Sequence, residues 1–172
     1  FVDSIDPIEL ERDIVSSSFP ATEASLSLQS HAGPRRILHD KCFGDRLQAM
    51  GRGITAGCSS STSLTRAHLT EPVLASAKAN NATDHGCHVD DVSQAAHCDF
   101  DLMFEACAES GVAFATAVMR KQLVISPKSC ILTSNKELGT KLARYFNRDV
   151  GVSKAGLGKR SSAGQKARFA QA

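Results

Sequence analysis

The sequence predicts a mostly α-helical protein, and three observations support this prediction. Apolar residues recur at helical spacing, capping residues stand where such runs begin, and Gly, Pro or Asn stand where they end. The 172 residues include 42% hydrophobic residues but only 5% aromatic ones, with no Trp. We therefore expect an irregular set of helices around a core of small side chains.

The first helices are predicted in an N-terminal arm, residues 1–34. Asp6-Pro7 combines a capping residue with Pro at the first helical position, which is a strong helix start. A second short helix is predicted over 22–29, because Gly33-Pro34 then breaks the pattern.

The region 35–150 is predicted to be the helical body of the protein. Its apolar residues recur at a spacing near 3.6, and Ser134 to Glu137 form a capping-box pattern before the last helix. The expected elements are a helix over 35–50, a Ser/Thr-rich loop over 58–65, and helices over 72–79, over 90–122 and from Leu138 onward.

A weak internal similarity suggests a duplicated helical unit of about 55 residues. Residues 42–45 resemble 98–101, and residues 66–69 resemble 120–123. The two copies would be 35–89 and 90–150, and chance similarity is the alternative. After them, residues 151–172 are rich in Gly, Ser, Lys and Ala, so we expect an extended basic tail.

Charge is distributed unevenly along the chain. The first 119 residues contain 8 Lys and Arg against 16 Asp and Glu, whereas the last 53 contain 12 against 2. This asymmetry predicts an acidic or polyanionic partner for the basic part, with an ordinary solvated surface as the alternative.

Two segment types are not expected in this sequence. There is no uninterrupted run of about 18 apolar residues, so we predict no membrane-spanning helix. The chain begins at Phe1 without a basic and apolar leader, which is typical of an imported or secreted mature protein or of a fragment.

The six cysteines allow a three-disulfide framework, and Asn81-Ala82-Thr83 is a glycosylation sequon. The paired C-x2-C or H-x3-H spacing of zinc sites is absent, so we predict no metal site. No motif of a hydrolase, metalloprotease or P-loop enzyme occurs either. We therefore expect a protein without enzymatic activity.

Three of the six cysteines have an Asp at the third following position. On a helix, residues i and i+3 share a face about 5 to 6 Å apart, so each thiol would have a carboxylate beside it. A thiolate can form a thioether with a linear tetrapyrrole, and a nearby carboxylate can accept hydrogen bonds from its pyrrole N–H groups. The three pairs are Cys42–Asp45, Cys87–Asp90 and Cys98–Asp101.

This C-x-x-D arrangement resembles the bilin attachment sites of phycobiliproteins. The general plan, with a helical body, scattered cysteines and a basic tail, is similar to the gamma subunit of red algal phycoerythrin, a pigmented linker. The sequence departs from the family in lacking an Arg between Cys and Asp. Candidate substitutes for its contact to the bilin propionate are Lys41, Arg46, Arg52 and Arg120.

The resemblance implies a non-enzymatic, chromophore-bearing linker that stabilises an acidic phycobiliprotein hexamer and takes part in light harvesting and excitation energy transfer. Its partners would be the α and β subunits of the hexamer ring in the phycobilisome, on the stromal face of the chloroplast thylakoid membrane, without nucleic acid and without membrane insertion. Its cofactors would be covalently attached linear tetrapyrroles, phycoerythrobilin or phycourobilin. Besides the three pairs, Cys58 and Cys130 are weaker attachment candidates, and Cys107 is expected in the core.

Two other functions remain open from the residues alone. A structural subunit of a large RNA-containing or organellar assembly would use the basic tail on RNA phosphates. A disulfide-linked secreted helical protein would use its cysteines in bridges.

Overall fold

The computed structural model describes residues 4–34, 36, 38–44, 51–54, 58–89, 91–126, 129–148, 155–157 and 165–169. The chain divides into two compact units, Phe1–Leu69 and Thr70–Ala172. The described residues form five helices and seven short strands, so the prediction of a mostly α-helical protein is confirmed.

The first unit begins with two helices, α1 (Pro7–Ser16) and α2 (Ala21–Ala32). The Asp6 side chain accepts a hydrogen bond from the Ile8 backbone N–H at 2.9 Å, and Pro7 occupies the first turn, as the sequence predicts. Gly33 ends α2. The buried apolar side chains of this unit are Ile5, Leu10, Ile14, Ala24, Ile54, Leu64 and Leu69.

Residues 38–43 form a small hairpin, β1 (Leu38–His39) and β2 (Cys42–Phe43), where a helix was predicted over 35–50. Its two turn residues, Asp40 and Lys41, have φ angles of 47° and 65°. Two consecutive positive φ angles give a tight hairpin turn whose twist matches that of the strands. The helix prediction is therefore wrong over these six residues, while residues 45–50 lie outside the described part of the chain.

Helix α3 (Ser61–Ala79) starts in the first unit and ends in the second. Its first turns occupy part of the segment predicted as a Ser/Thr-rich loop, and its end agrees with the helix predicted over 72–79. In the first unit, the buried His68 places Nδ1 2.5 Å from Asp13 Oδ2 of α1. This contact holds the start of α3 against α1.

The second unit continues with a hairpin, β3 (Thr83–His88) and β4 (Asp91–Ala96), followed by α4 (Phe100–Arg120). The strands pair in a regular antiparallel register from Thr83↔Ala96 to His88↔Asp91. The helix predicted over 90–122 is therefore wrong for its first third, because residues 91–96 pair with β3. From Phe100 onward it is correct.

The main apolar contact of the second unit joins α4 to α5 (Lys136–Arg148). Leu138, Leu142 and Phe146 form its centre. A Cβ atom at Gly111 of α4 would overlap the Phe146 ring, so only glycine permits this close approach. The residues packed around the centre are Met103, Phe104, Cys107, Val112, Ile131 and Tyr145.

Three short strands complete the second unit: β5 (Cys130–Thr133), β6 (Ala155–Leu157) and β7 (Gln165–Phe169). They form an antiparallel sheet in the order β5-β7-β6. The region 35–150, predicted as helical, thus also contains five strands in its described part.

One helix of the described chain, α4, is long and apolar enough to cross a membrane by length and composition alone. Its 18-residue window has a mean hydropathy of 1.3, and 33% of that window is buried inside the structure. The core helix of a soluble protein meets the same test, so the absence of membrane insertion stays a prediction.

Candidate functional site

Two of the three cysteines predicted to share a helical face with a carboxylate do not lie on a helix. Cys42 is in β2 and exposed, and Cys87 is in β3 and half-buried. Successive side chains of a strand point to opposite faces, so residues i and i+3 do not share a face there. The premise of a common helical face is wrong for these two cysteines, and their partners Asp45 and Asp90 lie outside the described residues.

The third pair keeps part of the expected geometry. Cys98 stands two residues before α4, outside the helix that was predicted to contain it, and is half-buried. Asp101 is exposed in the first turn of α4. A ligand bonded to Cys98 would therefore begin at the N-terminal end of α4, with one carboxylate nearby in sequence.

The remaining cysteines differ in their surroundings. Cys58 precedes α3, and hydrogen bonds from the backbone N–H and hydroxyl of Ser60 lower the pKa of its thiol. Cys107 packs against the α4–α5 core, where burial raises its pKa, so the expected core position is confirmed. Cys130 is the half-buried first residue of β5. All six cysteines are free thiols, so the disulfide alternative gains no support from the structure.

Three cations lie together on the exposed surface of α5. Lys136, Lys141 and Arg144 are exposed there, and we call these three residues the basic face. Together with Glu137 and Thr140 they line an open depression of about 520 Å³. Three cations and one carboxylate leave this depression with a net positive charge.

The sequence of α5 explains why these cations stand together. Leu138, Leu142 and Phe146 recur every four residues and are buried together with Gly139 and Ala143, so Lys136, Lys141 and Arg144 lie on the opposite, exposed side of the helix. Asn135 fixes the start of the helix, because its side-chain oxygen accepts a hydrogen bond from the Leu138 backbone N–H at 2.9 Å. Lys136 is therefore the first residue of α5.

Local contacts restrict two of the residues in the depression. The Lys141 ammonium lies 4.1 Å from the centre of the Phe104 ring, a cation–π contact. The Thr140 hydroxyl donates a hydrogen bond to the Lys136 carbonyl oxygen at 2.9 Å. We did not predict this face from the sequence, although Lys136, Thr140 and Arg144 are spaced by four, which is the signal that could have found it.

The turn between β3 and β4 brings one described carboxylate, that of Asp91, to the surface. Asp91 is the exposed first residue of β4 and pairs with His88 across the hairpin, while Val89 turns the chain with a φ angle of 58°. Asp90 is bonded to Asp91 but lies outside the described residues. Within the described residues, no group of three or more His, Cys, Asp or Glu side chains could hold a metal ion by itself.

Comparison with known proteins gives no family assignment. No protein-family model matches the chain, and no curated protein or solved structure is significantly similar to it. The function must therefore be argued from the geometry of this chain.

Proposed function

We propose that this protein binds nucleic acid through its phosphates, with the basic face of α5 as the contact surface. The observation that carries the proposal is the depression of about 520 Å³ whose three cationic side chains belong to one rigid helix. This replaces the pigmented linker as the favoured function, because the common helical face on which the pigment sites depended is absent at Cys42 and Cys87.

The chemistry of the basic face suits a phosphate backbone. Arg144 can donate two parallel hydrogen bonds to one phosphate, and the two lysines can neutralise its neighbours as point charges. The contact between Lys141 and Phe104 holds one of these charges in place before binding, which reduces the entropy lost in the complex. Glu137 reduces the positive charge of the face but does not cancel it, because three cations remain.

The wider charge distribution supports the same partner. The basic face lies within the segment in which 12 Lys and Arg stand against 2 Asp and Glu. A field of this sign raises the local concentration of a polyanion and accelerates its association. The proposal does not include recognition of a particular base sequence, because phosphate contacts position a nucleic acid without reading its bases.

Fluorescence anisotropy with a labelled single-stranded RNA of about 20 nucleotides tests the proposal. Replacing Lys136, Lys141 and Arg144 together by Gln should weaken binding at least about tenfold at low salt. The matched control replaces Arg12, Arg66 and Lys78, three exposed cations outside α5, by Gln, and changes the net charge equally. Equal losses in the two variants would show that only the total charge matters and would overturn the proposal.

The chromophore-bearing linker remains a second candidate function, favoured by the position of Cys98 three residues before Asp101 at the start of α4. The duplicated halves 35–89 and 90–150, the extended tail, the acidic hexamer partners and the thylakoid location belong to this candidate. Visible absorption that survives denaturation, with added mass on a Cys98 peptide, would support it. Colourless protein from the native source with an unmodified Cys98 would exclude a pigment at this pair.

A further inference from the structure

Two aromatic side chains lie one turn apart at the start of α4. Phe104 is half-buried and packs against the α4–α5 core, whereas Phe100 is 55% exposed. Residues four apart on a helix share a face and are separated by about 6 Å along its axis. Phe100 therefore lies beside Phe104 on one face of α4, as a large apolar side chain that remains open to the solvent.

Phe104 connects this face of α4 directly to the basic face of α5. The Lys141 ammonium lies 4.1 Å from the centre of the Phe104 ring. The Tyr145 ring contacts Phe104 edge to face, with 5.7 Å between the ring centres and an angle of 71° between the ring planes. The aromatic residues and the cations therefore belong to adjoining parts of one surface.

The two helices run in the same direction along their contact. Phe104 of α4 meets Lys141 of α5. Further along both helices, Gly111 lies against the Phe146 ring. Phe100, one turn before Phe104, therefore lies toward the beginning of α5, which is one end of the basic face. A strand of nucleic acid along the basic face would pass near the Phe100 ring.

Carboxylates near the start of α4 determine which part of a nucleic acid fits beside Phe100. Asp99, Asp101 and Glu105 are all exposed there. These carboxylates repel phosphates, whereas an uncharged base meets no such repulsion. The charges therefore direct the phosphates to the cations of α5 and leave the aromatic side chain of α4 to the bases.

We propose that Phe100 stacks against a base of a single-stranded nucleic acid whose phosphates lie on the basic face. This stacking rests on the proposed function, phosphate binding by α5, and specifies its ligand as a single strand. Every base offers a flat face to an aromatic ring, so the contact tolerates any base sequence. A duplex keeps these faces inside its base stack and would bring its outer phosphates toward the carboxylates of α4.

Tryptophan fluorescence can report on this stacking, because the chain contains no Trp of its own. We expect a single-stranded RNA of about 20 nucleotides to quench the fluorescence of the Phe100→Trp variant, and the duplex of the same sequence to quench it much less. Leu102→Trp is the matched control. Leu102 is 54% exposed but lies two residues further on, on another side of the same helical turn, so its variant should be quenched weakly.

The affinity of a variant without the ring measures what the ring contributes. Phe100→Leu keeps an apolar side chain but has no aromatic face, so we expect it to bind the single strand about tenfold more weakly at low salt. Its affinity for the duplex should be that of the wild type. Leu102→Ala is the control and should bind both RNAs as the wild type does. Both positions are exposed, so the variants are expected to fold.

Two results would overturn the stacking while leaving phosphate binding at α5 intact. One is equal quenching of Phe100→Trp and Leu102→Trp by saturating single-stranded RNA. The other is a Phe100→Leu variant that keeps the affinity of the wild type for the single strand or loses affinity equally for both RNAs. If the wild type binds no RNA at all, the proposed function fails and the stacking fails with it.

Discussion

Helix α4 makes two contacts of opposite chemistry within the second unit. Against α5 it packs apolar side chains, with Gly111 directly under the Phe146 ring. Against α3 and the β3–β4 hairpin it uses Ser110 in a network of hydroxyl, amide and imidazole groups. Apolar packing has no directional requirement, whereas a buried polar network depends on each of its hydrogen-bonding partners. The α4–α5 contact thus supports the basic face by apolar packing, whereas polar contacts hold the β3–β4 hairpin.

Of the three variants that test this comparison, Phe146→Ala should reduce the stability of the protein most. The ring is 93% buried and contacts Tyr145 edge to face, with 5.6 Å between ring centres. We expect a loss of about 3–5 kcal/mol in the free energy of unfolding, equal at neutral and mildly acidic pH. Urea denaturation at two pH values measures it. Leu132→Ala, at a side chain that is 73% exposed, is the control and should have little effect.

Ser110→Ala should have an intermediate effect. The substitution removes the hydroxyl that contacts Ser76, Thr83 and His85, and these buried groups lose a shared partner. We expect a loss of about 1–3 kcal/mol at neutral pH by urea denaturation. The control is Ser93→Ala on the exposed side of β4. If the Ser110→Ala variant is as stable as this control, the network contributes no stability.

Asn135→Ala should have the smallest effect of the three. It removes the side-chain acceptor at the start of α5, so we expect a loss of about 1 kcal/mol and fraying around Lys136. Asn135→Asp keeps the acceptor and should retain the stability of the wild type. Thermal unfolding of the two variants, measured in parallel, gives their stabilities. Identical losses would show that the cap does not set the start of α5.

The helices were predictable where local signals and tertiary packing agree. Asp6-Pro7 starts α1, and the spacing of Leu138, Leu142 and Phe146 marks the buried side of α5. The observed cap of α5 is Asn135, one residue after the Ser134 of the predicted capping box. Both helices are specified by residues close in sequence, so the patterns were sufficient.

The strands were missed because pairing overrides the local preference of their residues. Residues 91–96 read Asp-Val-Ser-Gln-Ala-Ala, in which Val92 is the one β-branched residue and no aromatic residue occurs, although both types are typical of strands. Their register with β3 is fixed by contacts such as that of Gln94 with Ser76 of α3. The β1–β2 turn is built from Asp40 and Lys41, without the glycine that would have signalled it.

Only the charge of the candidate site, and the kind of partner that this charge favours, could be predicted from the sequence. The excess of positive charge after residue 119 is evident from the sequence, and so is the prediction of a polyanionic partner. The helical premise was wrong at Cys42 and Cys87, because both residues are on strands, while pigment attachment itself stays a prediction at all of the proposed cysteines. The contact between Ser76 and Ser110 could not be predicted from the sequence. The two serines belong to no motif, and they meet only when α3 and α4 pack together.

The salt dependence of RNA binding tests the central claim most directly. The logarithm of the association constant, plotted against the logarithm of the salt concentration, should fall with a slope that is about 2 units shallower when the three cations of the basic face are replaced by Gln. This is the difference expected for three lost phosphate contacts on a single strand. A slope that is the same in the wild type and in this variant would contradict the account, because phosphates would then not be bound by α5.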